Sequence, residues 1–157
     1  MLSATGQNVA SGIVTLYGVS LDLANAQTWA GTALALTATG GSLGLANATT
    51  GAGTSITVNA AGTLDNSGGT FNAPQLAIRA GNLTNRSGTI TQTGTGPITV
   101  AVSGTLDNTR GSLQTNSADL VLSPATILND DGTITSSGAG TLSVQTGALS
   151  NNGGTLL

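Results

Sequence analysis

Asp22, Asp65, Asp107, Asp119, Asp130 and Asp131 are the only acids among 157 residues, and Arg79, Arg86 and Arg110 are the only side-chain bases. Glu, His, Lys and Cys are absent, and the net charge is −3. Carbohydrate cleavage by acid–base chemistry needs two carboxylates facing one bond, about 6.5–9.5 Å apart for an inverting pair. Asp65 and Asp107 come nearest to that requirement. They hold the same place in a recurring motif, with Thr84 at the intervening copy, so stacked strands would set their backbones roughly 9–10 Å apart. No Glu, His or Lys is present to assist them, and both read as ordinary turn residues. Asp130 and Asp131 supply too few oxygens for calcium, which takes about six to eight. Arg86 and Arg110 fall near Asp107 and suggest a surface ion pair worth little. Three scattered Arg cannot displace counterions from a phosphate backbone, which excludes nucleic acid as a partner. No catalytic, cofactor-binding or metal-ligating residue is therefore assigned, and the chain is not expected to be an enzyme.

What the chain does carry is a repeat. Leu64-Asp-Asn-Ser-Gly-Gly-Thr-Phe71, Leu83-Thr-Asn-Arg-Ser-Gly-Thr-Ile90, Leu106-Asp-Asn-Thr-Arg-Gly-Ser-Leu113, Ile127-Leu-Asn-Asp-Asp-Gly-Thr-Ile134 and Leu149-Ser-Asn-Asn-Gly-Gly-Thr-Leu156 share one pattern. An apolar–x–apolar step follows the first four: Leu76/Ile78, Ile98/Val100, Leu120/Leu122 and Leu142/Val144. The same step occurs earlier as Val14/Leu16, Leu34/Leu36 and Ile56/Val58. Ser20-Leu-Asp-Leu-Ala-Asn-Ala26 also matches Ser42-Leu-Gly-Leu-Ala-Asn-Ala48, a variant with Leu-x-Leu and a displaced Asn. Residues 12–61 form these variant coils and 62–157 the Leu-x-Asn-x-x-Gly-Thr coils of a single repeat segment covering 1–157. Nearly all variation in period falls between the residue after Gly-Thr and the next strand step, which marks a solvent-facing turn.

These elements must be strands. Apolar residues alternate with Thr, Ser and Ala in short runs, Gly–Asn clusters interrupt the chain, and no helical stripe is present. A single such strand cannot bury its own face, so coils of 19–23 residues, about seven of them, are expected to stack as an all-β parallel β-helix. Stacking would bring Asn66, Asn85, Asn108, Asn129 and Asn151 into a ladder, each amide bonding its neighbours. Thr70, Thr89, Ser112, Thr133 and Thr155 would form a hydroxyl ladder beside it. Gly69, Gly88, Gly111, Gly132 and Gly154 are expected where the turn needs φ > 0. Trp29 and Tyr17 are expected to fill or cover the first coils. Asn47-Ala-Thr, Asn82-Leu-Thr and Asn85-Arg-Ser match the glycosylation triplet, as chance predicts in a chain so rich in Asn, Thr and Ser. Leucine-rich and calcium-binding nonapeptide repeats fit worse, since neither consensus is present.

The Leu-Asp-Asn-x-x-Gly-Thr/Ser-apolar unit, followed by Leu-x-Val and Gly-x-Leu, resembles the haemagglutinin repeats of filamentous-haemagglutinin-type exoproteins. These are secreted by the two-partner route and include large adhesins and contact-dependent growth inhibition effectors. The resemblance is close from about residue 62 onward and looser over 12–61. It implies a right-handed β-helical filament on the surface of a Gram-negative cell, a structural shaft that spaces and presents binding elements. Its implied partners are neighbouring coils of the same parent chain, an outer-membrane transporter during secretion, and host or bacterial surface glycans or receptors. Met1 runs directly into repeat-like sequence with no leader pattern, so both termini read as cuts within a longer array. A glycan- or receptor-binding adhesin surface is the alternative function, and a polysaccharide-degrading β-helix enzyme the less favoured one.

Overall fold

Each coil runs along three faces, and the strand on each face pairs in parallel with its equivalent one coil away. In the computed structural model, which describes residues 1–157, this gives a β-solenoid of about seven turns with no helix. The first face contains Leu2–Ser3, Leu21–Asp22, Leu43–Gly44, the ends of Ser55–Asp65 and Gln75–Thr84, then Thr105–Asp107, Thr126–Leu128 and Ala148–Ser150. The second face runs from Gln7–Ala10 through Gln27–Ala30, Thr49–Ala52, Thr70–Ala73, Thr89–Gln92, Ser112–Thr115 and Thr133–Ser136 to Thr155–Leu156. The third carries Val14–Gly18, Ala33–Ala38, the starts of the two long strands, and Thr99–Val102, with Leu120–Leu122 and Leu142–Val144 continuing it. Leu21, Leu43, Leu64, Leu83, Leu106, Ile127 and Leu149 pair in unbroken register, as the sequence alignment requires.

Alternation along the strands sends mainly apolar residues inward and mainly polar residues outward. The inward residues of the three faces meet in one cluster of 30 buried side chains, including Leu36, Val58, Ile78, Leu106 and Ile134. The variant coils fit the same frame. Register places Leu23 and Leu45 where the later coils have Asn66 and its equivalents, and Ala26 and Ala48 where they have Gly69. The displaced Asn25 and Asn47 sit one residue earlier, with φ of 59° and 55°.

That placement corrects the expected role of the glycine column. Positive φ falls on Gly68, Ser87, Arg110, Asp131 and Gly153, the residues just before Gly69, Gly88, Gly111, Gly132 and Gly154. The column glycines instead lack room. A Cβ at Gly88 would stand 2.2 Å from the Asn66 carbonyl oxygen and 2.5 Å from Asn85 Oδ1. At Gly111 it would stand 2.0 Å from the Asn85 oxygen.

The variable connection is a surface turn between the second and third faces. It shrinks to Pro74 alone in one coil and spans 93–98 in the next. The longer version is anchored from inside by Gln92, which is 1% exposed. Its Nε2 donates to the carbonyls of Gly94 and Gly96 at 3.2 and 2.7 Å, and its Oε1 accepts from Leu76 N at 3.0 Å. Polar residues inserted between Thr93 and Thr95 are expected to leave the thermal transition within about 1 kcal/mol of the parent. The same insertion between Asn108 and Gly111 should abolish cooperative unfolding of that region, because it breaks the tight turn. Equal losses, measured by thermal denaturation, would contradict this assignment of turn and scaffold.

Candidate functional site

The Asn column, and Asp65, Asp107, Asp130 and Asp131, sit along the first face and the turn after it. Asn66, Asn85, Asn108 and Asn129 are each at most 1% exposed, and each Nδ2 donates to Oδ1 of the next coil's Asn at 2.8, 2.7, 2.7 and 2.7 Å. The same nitrogens reach the carbonyls of Thr89, Ser112, Thr133 and Thr155 in that same next coil. Each also caps its own turn at Gly69, Gly88, Gly111 or Gly132. The Asn ladder exists as expected, and its amides face the core rather than solvent. Asn85, one of the glycosylation triplets, is thereby sealed.

The hydroxyl ladder does not form. Thr70, Thr89, Ser112, Thr133 and Thr155 do stack in register, but no hydroxyl in the column bonds another, and Ser112 Oγ has no partner. The side chains of this column occupy the outward strand positions, and the backbone carbonyls of Thr89, Ser112, Thr133 and Thr155 accept from the Asn amides instead.

Below Asn66 the ladder stops, because Leu45 occupies the next rung. Asn66 Oδ1 is left buried without a donor. The polarity of the interior changes place at this seam. On the second face the inward column runs Asn8, Thr28, Thr50, then Phe71, Ile90, Leu113, Ile134 and Leu156. Coils with Leu at the ladder position therefore hold a polar residue here, and coils with Asn hold an apolar one. Thr50 Oγ1, at the last polar rung, is also buried and unbonded.

Asp65, Thr84 and Asp107 share one column, as the repeat alignment required. Asp107, however, does not behave as an outward turn residue. It is 6% exposed, its Oδ1 accepts from Thr109 N and Oγ1 at 3.1 and 2.7 Å, and its Oδ2 accepts from Arg86 Nε. The preceding coil carries a bulge between Ala80 and Asn82, and the Arg86 side chain lies against the carboxylate. Asp65 makes the same local turn with Ser67 N and Oγ, at 3.0 and 2.6 Å, without an Arg. No ion pair joins Arg110 to Asp107. Asp130 accepts from Ser150 Oγ and Asn152 N of the following coil at 2.7 and 2.8 Å, and Asp119 from Thr141 N and Oγ1 at 2.9 and 3.0 Å. These acids clip one coil to the next. Asp131 occupies the left-handed turn position.

Those bonds set the acid sensitivity. Burial pushes the Asp107 carboxyl up, but hydrogen bonds from Thr109 and Arg86 and the Arg86 charge outweigh it and hold it below the ordinary range. The N–H and hydroxyl of Thr141 lower Asp119, and the Ser150 hydroxyl and Asn152 N–H lower Asp130. A carboxyl lowered by folding contributes stability above its unfolded pKa and loses it as pH falls through the folded one. With no His in the chain, stability should be flat from about pH 5 to 8 and fall below about pH 4. Asp107→Ala should cost about 1–3 kcal/mol at neutral pH by leaving Thr109 N unbonded, and should flatten part of the acid limb. Urea titration across pH tests both.

Trp29 and Tyr17 remain 48% and 68% exposed, so neither fills the interior. The Trp29 ring covers Gly51 on the second face, where a Cβ would stand 2.3 Å from it. Where the third face bends into the first, a shallow groove of about 650 Å³ runs lengthwise past Thr37, Asn59, Arg79, Ala101 and Ser103. Arg79 is its one charge. No acid pair converges in it, and no three metal-ligating side chains gather anywhere in the chain.

Among known proteins, the chain is similar to the tRNA nuclease CdiA-2 of Burkholderia pseudomallei (strain 1026b), with 56% identity over 39 residues. That stretch is 24% of this chain and 1% of the relative's length. The stacked coils and this likeness together fit a CdiA- or filamentous-haemagglutinin-type repeat region. No family model and no solved structure matches the chain.

Proposed function

We propose that this chain is a length of shaft in a secreted bacterial surface protein, an adhesin or toxin-delivery protein, where it spaces and presents other elements. One observation carries the reading: the Asn that recurs in the five later coils is buried in four of them and bonded coil to coil throughout. The repeated Asn are thus committed to holding the stack together and cannot contact a ligand. The short likeness to a CdiA protein supports a secreted or surface location. The relative's nuclease activity is not carried over, since this segment spans so little of it and has no His, Glu or Lys. Neighbouring coils of a parent chain, and an outer-membrane transporter during export, are the proposed partners. The lengthwise groove beside Arg79 favours a second reading, weak contact with an extended surface glycan.

The chain is expected to show no turnover of polysaccharides and no selective signal on a glycan array. Duplicating one Asn-type coil should lengthen the particle by about 4.8 Å in small-angle scattering with no loss of cooperativity. Polysaccharide cleavage, or selective glycan capture that Arg79→Ala removes, would overturn the shaft reading.

A further inference from the structure

Thr50 Oγ1 and Asn66 Oδ1 lie on facing coils without a hydrogen-bond partner, in residues that are 1% and 0% exposed. None of the molecule's three surface hollows is lined by either residue. Both belong to the interface between residues 43–60 and residues 64–80, where Thr50 stacks on Phe71 and Asn66 stands one rung above Leu45. The one side-chain hydrogen bond across this interface is from Thr63 N to Ser42 Oγ at 3.3 Å. The next interface carries the bonds from Asn66 to Asn85 and from Leu76 N to Gln92. The one before it is covered by the Trp29 ring over Gly51. The remaining unpaired atom, Ser112 Oγ, lies in a coil held on both sides by the Asn ladder. Backbone pairing makes no such distinction. Leu45, Asn47 and Thr70 donate across the interface at 2.7, 2.8 and 2.8 Å, and their equivalents Asn66, Gly68 and Thr89 across the next at 2.7, 2.9 and 2.8 Å.

We propose that this interface is a joint built into the rod, which opens before the interfaces on either side and divides the stack into two cooperative blocks linked through Ser55–Asp65. Opening lets water reach the Thr50 hydroxyl and the Asn66 carbonyl oxygen and gives each the partner it lacks when the coils are closed. Closure here therefore carries the desolvation of two polar groups with no bond in return. At the later interfaces the balance is reversed, because opening them breaks an Asn–Asn bond inside the core. The joint rests on the change of coil type within the chain and not on the shaft reading.

Amide hydrogen exchange of the folded 157-residue chain, read residue by residue by NMR, tests this. Leu45, Asn47 and Thr70 should exchange about tenfold or more faster than Asn66, Gly68 and Thr89, and also faster than Leu23, Asn25 and Thr49 one coil earlier. Simple fraying gives instead a protection that rises steadily from Leu23 through Leu45 to Asn66, and that result would overturn the proposal. Leu45→Asn combined with Ala48→Gly and Thr50→Val brings this coil to the Asn-x-x-Gly-Thr pattern and supplies a donor to Asn66 Oδ1. The minimum in protection should then move one coil earlier, to Leu23, Asn25 and Thr49. Thr50→Val alone removes one unpaired hydroxyl at nearly constant shape, and should slow exchange at Leu45, Asn47 and Thr70 severalfold while leaving Asn85 and Ser87 unchanged. A minimum that stays in place in the folded triple variant, or exchange that Thr50→Val fails to slow, would equally overturn it.

Discussion

Gly111→Ala is expected to be among the most damaging single substitutions in the chain, costing about 3 kcal/mol or more. The added Cβ would stand 2.0 Å from the Asn85 carbonyl oxygen and 2.7 Å from Asn108 Oδ1. Backbone cannot yield as a flexible side chain can, so the coil must lift and the ladder bond from Asn85 to Asn108 stretches. At roughly 2–4 °C per kcal/mol, thermal melting resolves the loss easily. Arg110→Gly is the counter-test. Arg110 has φ 56°, so glycine there removes left-handed strain of about 1–2 kcal/mol and should leave stability equal or higher. The variant coils indicate how the clash is relieved, since Leu45 accompanies Ala48 and Leu23 accompanies Ala26. Asn108→Leu combined with Gly111→Ala should therefore cost less than the sum of the two, a coupling that a double-mutant cycle measures. Strict additivity would mean that the Asn/Gly and Leu/Ala pairings are coincidental.

Leu106→Ala should cost about 2–5 kcal/mol through lost burial and the cavity left behind. Leu106 is 1% exposed and pairs with Leu83 on one side and Ile127 on the other. Coils contact only their neighbours, so hydrogen exchange should rise first around Leu83 and Ile127 and later at Leu21 or Leu149. Asn108→Ala is expected to cost about 2–4 kcal/mol, nearly as much, because Asn129 Oδ1 and Thr133 O lose their donor inside the core. Uniform loosening of all coils would show that the stack unfolds as one unit, against the nearest-neighbour account.

The strands, their registers and the Asn ladder were legible in the sequence because period-two alternation and a fixed motif length determine which side chains meet. The turn geometry was less so. Gly69 and its equivalents recur, and a recurrent glycine suggests a special φ, yet the left-handed position is the variable one before it. Gly, Ser, Arg, Asp and Asn all appear there. The signal that could have located it was Asn25 and Asn47, aligned with Gly68 rather than with Asn66. Asp107 was misjudged because alternation alone puts it outside, and nothing in the sequence announces the Arg86 contact that covers it. Gln92 was missed for a related reason, since a glutamine at a variable turn looks like solvent-facing polarity. For the six acids, residue types alone could not say what the geometry adds, namely where Asp65, Asp107, Asp119 and Asp130 are bonded.

The amide ladder gives the rod a sense of direction. Every link from Asn66 to Asn151 donates the same way, so the side-chain dipoles add along the axis instead of cancelling. The column opens on a lone oxygen at Asn66 and closes on an amino group at Asn151, like a line of arrows with a feathered and a pointed end. At the Asn66 end the column is closed off by Leu45, so an added Asn-type coil could lengthen it only beyond Asn151. A ladder of the opposite sense met there would set donor against donor, so the side chains that bind the coils also prescribe which way round further coils can be added.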